Sequence, residues 1–213
     1  MRKLAKLALA TAVGAAILGP ASAASAVSVA QVGTSSVIAA EGPGHSLIFY
    51  WQSIGGVPWH PEVVAGPGST FSAPSVAQVG SSSVIAAEGP FASLRFYWQS
   101  IGGVPWHPEV VAGPGTTYSK PSVARVGSSS VIAAEGPGHS LIFYWQSIGG
   151  VPWHPEVVAG PGTTFSAPSV AQVGSSSVIA AEGPIASLRF YWQSIGGVLW
   201  HPELVAGAGT TFA

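Results

Sequence analysis

A 47-residue period, four short runs of Val, Ile and aromatic residues in each period, and apolar side chains on both faces of those runs predict an all-β chain. The fold class that meets all three observations is a β-propeller of four near-identical four-stranded blades, preceded by an N-terminal signal helix. The period shows in Tyr-Trp-Gln, which begins at Tyr50, Tyr97, Tyr144 and Tyr191. It shows again in Trp-His-Pro-Glu, which begins at Trp59, Trp106, Trp153 and Trp200. A β-solenoid or a sandwich is the alternative architecture.

Residues 1–26 read as a secretory signal peptide. Arg2, Lys3 and Lys6 form a basic start, and the apolar run from Leu7 to Leu18 is short for a bilayer span. Small residues at 21–23 and 24–26 offer cleavage sites. The expected localisation is therefore secreted or extracellular, and a cysteine-free secreted chain fits a bacterial exporter. No membrane association is expected after cleavage. The rest, 27–213, is a repeat domain with blades at about 28–74, 75–121, 122–168 and 169–213.

In the first copy the runs are Ser28–Val32, Ser36–Glu41, Ser46–Gln52 and roughly Val57–Ala65, divided by Gly-, Pro- and Ser-rich turns. Pro58 and Pro61 crowd the fourth run. Proline cannot donate to a sheet ladder, so this strand belongs at an edge or starts late. In the second run Val37 and Ala39 face one way, Ile38 and Ala40 the other. Both faces must then be covered, and stacked sheets that cover each other do this without helices.

The copies alternate. Copies one and three read Gly-His-Ser-Leu-Ile at 44–48 and 138–142, whereas copies two and four end in Arg95 and Arg189. The last copy departs most, with Leu199, Leu204 and Ala208 where others carry Pro, Val and Pro. Four blades must close on themselves or be completed by another chain. Near-identical blade edges make exchange between chains easy, so a homo-oligomer completing a larger ring is an expectation.

Composition removes many functions. Cys, Asp and Asn are absent, which excludes disulfides, thiolate sites, an Asp-containing triad and N-glycosylation. Outside the leader, Arg95, Lys120, Arg125 and Arg189 stand against eight Glu, so nucleic acid is not an expected partner. No cofactor is expected. Each Trp-His-Pro-Glu copy offers one His and one Glu, but a zinc site needs three or four converging ligands. A proline-fixed turn with His and Glu at the surface is the preferred reading of that motif.

Candidate ligand contacts fall in three series. Glu41, Glu88, Glu135 and Glu182 end the second run of each copy and could accept hydrogen bonds from ligand hydroxyls. Tyr50, Tyr97, Tyr144 and Tyr191 share a strand face with Gln52, Gln99, Gln146 and Gln193. Trp59, Trp106, Trp153 and Trp200 add a second aromatic set suited to half-buried sites with one wet edge. Each series can also be read as packing or turn structure. Two carboxylates could run glycosidic chemistry. Four equivalent copies instead suit repeated weak binding, where avidity on a repetitive target does the work.

The run Ser93–Gln99, followed by Gly-Gly and Trp106, resembles the blade motif of fucose-binding β-propeller lectins. In length and strand count the repeat also resembles the 47-residue blades of tachylectin-like lectins. More loosely, it is similar to tandem repeats of secreted actinobacterial proteins. The first resemblance implies a sugar site built from an Arg, a Glu and a Trp or Tyr. Arg95 and Arg189 match that Arg, and Ile48 and Ile142 replace it in the other copies. The expected function is secreted, multivalent carbohydrate binding with glycans as partners. A cell-surface structural or protein-interaction array without a small-ligand site is the alternative, and a glycoside hydrolase comes third.

Overall fold

The structure, a computed structural model, describes residues 27–52, 58–99, 105–146, 152–194 and 199–211. The leader expected over 1–26 lies outside the described residues. Four antiparallel sheets of four strands follow one another, each in simple meander order. In the first, β1 (Val27–Val32), β2 (Ser35–Gly42) and β3 (Ser46–Gln52) match the first three expected runs, and β4 (His60–Ala65) starts later than the expected Val57, which lies outside the described residues. The second holds β5 (Ser75–Val79), β6 (Ser82–Gly89), β7 (Ser93–Trp98) and β8 (His107–Ala112). The third holds β9 (Ser122–Val126), β10 (Ser129–Gly136), β11 (Ser140–Gln146) and β12 (Trp153–Ala159). The fourth holds β13 (Ser169–Val173), β14 (Ser176–Gly183), β15 (Ser187–Gln193) and β16 (Trp200–Ala206). The chain is an all-β propeller-type assembly of four such blades.

Proline decides which strand lies outside. Pro61 pairs with Tyr50 on β4, the edge strand of its sheet, where a missing N–H costs no ladder bond. The inner strands β1, β5, β9 and β13 lie side by side, so blades stack around them. Small residues suit this crowding: Ala39, Ala86, Ala87, Ala133 and Ala134 have no exposed surface.

The core lies between blades, as the two-faced apolar pattern requires. One face of blade one contributes Val37, Ala39, Leu47 and Phe49, and they meet Val76, Ile85, Ala87 and Tyr97 of blade two. The same pairing recurs between blades two and three and between three and four. Phe49, Phe96 and Phe143 each meet the Trp of the next blade edge-on, with centroids 4.9–5.0 Å apart. Each such Phe is 2% exposed, and its truncation to Ala costs about 3–5 kcal/mol.

Polar latches repeat with the core. The Val76, Val123 and Val170 amides donate to Ser28, Ser75 and Ser122 Oγ of the preceding blade at 3.0–3.2 Å. The Gly33 and Gly127 amides donate to Gln78 and Gln172 Oε1 of the following blade. Between blades two and three Arg125 stands in the Gln position. A guanidinium cannot accept, and Arg125 Nε keeps the local donation, to the Gly127 carbonyl, that Gln78 and Gln172 make to Gly80 and Gly174.

Candidate functional site

Three equivalent clefts open between successive blades, at the rim formed by the β1–β2 type of turn. The cleft between blades one and two has a volume near 340 Å³ and is lined by Val32, Ser35, Phe49, Trp51, Glu62 and, across the gap, Ser83 and Gln99. The second, near 310 Å³, has Ser82, Phe96, Trp98, Glu109, Ser130 and Gln146 in the same places. The third, near 320 Å³, has Ser129, Phe143, Trp145, Glu156, Ser177 and Gln193. These volumes reach the lower end of small-molecule sites.

Strand alternation builds each cleft. Leu47, Phe49 and Trp51 project from one face of β3, while Tyr50 projects from the other. Glu62 pairs with Phe49 across β3–β4 and so shares its face. It is thereby brought beside Trp51, whose Nε1 donates to Glu62 Oε1 at 2.9 Å. Oε2 receives two donors from blade two, Gln99 Nε2 at 3.1 Å and Trp106 Nε1 at 3.2 Å. Glu109 repeats the arrangement with Trp98, Gln146 and Trp153, at 2.8, 3.1 and 2.9 Å. Glu156 accepts from Gln193 and Trp200 of blade four. A carboxylate has about four acceptor positions, so three donors leave room for one more.

The motif His is a platform support. His60, His107, His154 and His201 stack on Trp51, Trp98, Trp145 and Trp192 at 4.1–4.3 Å between ring centroids. This corrects the reading of Trp-His-Pro-Glu as a turn with its polar residues at the surface. Glu62, Glu109 and Glu156 are half-buried bridges between blades. Only Glu203, on the last blade, is exposed, and among the described residues it accepts from Trp192 alone. Among the described residues no group of three metal-ligating side chains forms.

The expected contact series are divided between places. Gln99, Gln146 and Gln193 line clefts. Gln52 holds the equivalent place on the first blade. Trp106, Trp153 and Trp200 serve as latches through their N–H groups, and Trp59 is 41% exposed. Tyr97, Tyr144 and Tyr191 are buried between blades, and burial pushes each phenol upward. Tyr50 is only half-buried, because no blade precedes it among the described residues.

The other expected carboxylates lie on the opposite rim, at the β2–β3 type of turn. Glu41 and Glu135 pair with His45 and His139 Nδ1 at 2.6 Å. His45 and His139 stack in turn on Phe71 and Phe165 at 4.7 Å. Burial pushes the Glu88 carboxyl up and the Glu41 charge adds to the rise. The nearby Ser72 hydroxyl opposes the shift, although its geometry falls outside that of a good hydrogen bond. The Glu182 amide donates to Ser166 Oγ. Arg95 and Arg189 lie over Gly89 and Gly183, where a Cβ would come within 2.6 Å of their Cγ atoms. Nε of each is buried without a partner. The Arg and the cleft Glu therefore belong to opposite rims.

The residues the sequence reading passed over are Glu62, Glu109 and Glu156, the Trp51 series, and the serines that open β2, β6 and β10. A signal was available. Trp51 and Glu62 fall on neighbouring strands eleven residues apart, and an acidic side chain is rare in this weakly charged chain.

No family model matches the chain, and no curated sequence matches it. Solved structures do. The BP39L lectin of Burkholderia pseudomallei superposes with a TM-score of 0.76 at 14% identity, covering 86% of this chain and 55% of that one. The fucose-specific lectin of Aleuria aurantia gives 0.62 at 15% identity, over 86% and 62%. GH43B of Bacteroides ovatus, from a xyloglucan utilisation locus, gives 0.56 at 14%, over 85% and 41%. The chain thus has the fold of β-propeller lectins and spans less than two thirds of the length of those it matches.

Proposed function

We propose that this is a secreted, multivalent carbohydrate-binding protein whose sugar sites are the clefts between blades. The observation that carries the reading is their repetition. Each cleft presents an indole, a carboxylate with at least one acceptor position to spare, a carboxamide and two serine hydroxyls. An indole face packs against the C–H face of a sugar ring, while the polar groups exchange hydrogen bonds with its hydroxyls. The carboxylate and amide are held in place by bonds that cross the blade gap, so binding need not order them. Weak equivalent sites on one rigid body suit a repetitive glycan. The fold shared with fucose-binding lectins supports the same class of ligand.

Hydrolysis is the poorer reading. Glycosidases use two carboxylates of distinct roles. One Glu lines each cleft.

Binding to a glycan array, followed by titration with monosaccharides including fucosides, tests this. We expect tryptophan fluorescence to change on binding, with one sugar taken per cleft. Ser82→Leu, which fills one cleft, should remove one of those sites and leave the others. No binder at high micromolar protein would sink the reading, as would binding indifferent to cleft filling.

A further inference from the structure

The two end faces of the arc are chemically the two halves of an interface that the chain already forms three times. Val76, Val123 and Val170 are each 6% exposed because the preceding blade covers them. Their equivalent on blade one, Val29, is 72% exposed. Ile85, Ile132 and Ile179 have no exposed surface, while Ile38 is half-exposed. Trp59, the counterpart of the latch tryptophans, is 41% exposed.

The opposite face of blade four shows the matching loss. Leu47, Leu94 and Leu141 are fully covered and Phe49, Phe96 and Phe143 are 2% exposed, yet Leu188 and Phe190 are half-exposed. Val173 and Val205 are 62% and 57% exposed, where their counterparts in earlier blades are half-buried. Leu204 is not part of this difference, since Val63, Val110 and Val157 are exposed in every blade.

Polar groups repeat the pattern. Ser169, equivalent to the acceptor serines of the inner latch, is exposed. Its inferred donor is the amide of Val29. Glu203 lacks the two donors from a following blade that Glu62 and Glu109 receive, and Trp59 supplies one such N–H.

We propose that blade four of one copy docks on blade one of a second copy, head to tail, by the contacts that join blades within the chain. The occupant is specified by the interface itself: the Val29 amide and the Trp59 N–H on one end are the equivalents of donors whose acceptors, Ser169 and Glu203, lie on the other. Such an interface is heterologous. It yields a ring if the rotation closes and a filament if it does not. Leaving both faces bare would expose contiguous apolar surface of a kind that marks association sites.

The experiment is sedimentation of the full chain over a wide concentration range, with two face-blocking variants. Val29→Glu blocks the blade-one face, and Val205→Glu blocks the blade-four face. Both positions are exposed in the single chain, so each variant should keep the wild-type circular dichroism and unfold in one cooperative transition. The wild type is expected to sediment as a species of two or more copies. Each variant alone should be monomeric, and an equimolar mixture should form dimers and nothing larger. That rescue arises only from head-to-tail pairing. Val157→Glu, equally exposed but outside the face, should leave the wild-type mass unchanged. A wild type that stays monomeric at every concentration overturns the proposal, and so does an oligomer insensitive to both blocking variants. Sugar binding at the internal clefts is unaffected by either result, so failure here is distinguishable from failure of the lectin reading.

Discussion

The two rims of the blade arc carry the same kind of acid and use it differently. On the cleft rim, Glu62 and Glu109 each take three N–H donors from two blades and tie the blades together. On the turn rim, Glu41 and Glu135 pair four residues along the chain with His45 and His139. The first arrangement depends on a neighbouring blade and the second does not. A carboxylate that spans two elements fixes how they meet, whereas one that pairs locally fixes only a turn. The rims also differ in backbone. The turn rim places two successive residues at positive φ, and only copies one and three use a glycine first, Gly44 and Gly138. Copies two and four hold Phe91 and Ile185 there, at φ 57° and 60°, with 85% and 80% of the side chain exposed. A β-branched residue in that region is strained.

The largest test of the contrast is to remove one acid from each rim. Glu109→Ala strands three N–H donors at a blade interface and should cost about 3 kcal/mol. Glu41→Ala breaks one local pair whose His is more than half exposed and whose acid is a quarter exposed, and it should cost under about 1 kcal/mol. Chemical denaturation of both variants measures the difference. Equal losses would dissolve the distinction between the rims.

The strain should also be measurable. Ile185→Gly relieves a left-handed β-branched residue and should stabilise the fold by about 1 kcal/mol after the entropy of glycine is counted. The same change at an ordinary strand position would destabilise. If Ile185→Gly lowers the melting temperature, the turn is not under the strain described.

The smallest effect concerns Glu88. Its folded pKa lies above the ordinary carboxylate value because burial disfavours the charge. The folded state then holds its proton more tightly than the unfolded chain. Stability from this group is greatest at low pH and falls as pH rises from the unfolded pKa through the folded one. Glu88→Gln should therefore melt slightly above the wild type at neutral pH. The gap should vanish near about pH 3, where the acid is protonated in both states. A gap that persists there would assign the effect to packing instead of charge.

Much of this molecule was legible as text. The four strands per copy, the edge position imposed by Pro61 and the burial of both faces follow from spacing and residue type. They are local properties, and the repeat states them four times. One polar group of each cleft could be read in the same way, since Gln99, Gln146 and Gln193 stood among the candidates. The bridging role of the cleft acid could not. Glu62 looked like a surface residue of a proline-rich turn, and its bridging role depends on Gln99 and Trp106, which reach it only when blade two swings alongside.

The sequence by itself determined the all-β class, the blade unit and which residues are apolar on which strand face, because alternation and period are encoded along one strand. It also determined that successive blades must be nearly interchangeable. Only the tertiary structure decided which acid latches blades, which tyrosines vanish from solvent, and where Arg95 lies relative to the cleft. Those relations join residues from different blades and opposite rims, and no spacing along the chain expresses the angle between two sheets. A preceding blade covers Val76 and, among the described residues, none covers Val29, although both belong to the same Ser-Val-Ala strand motif.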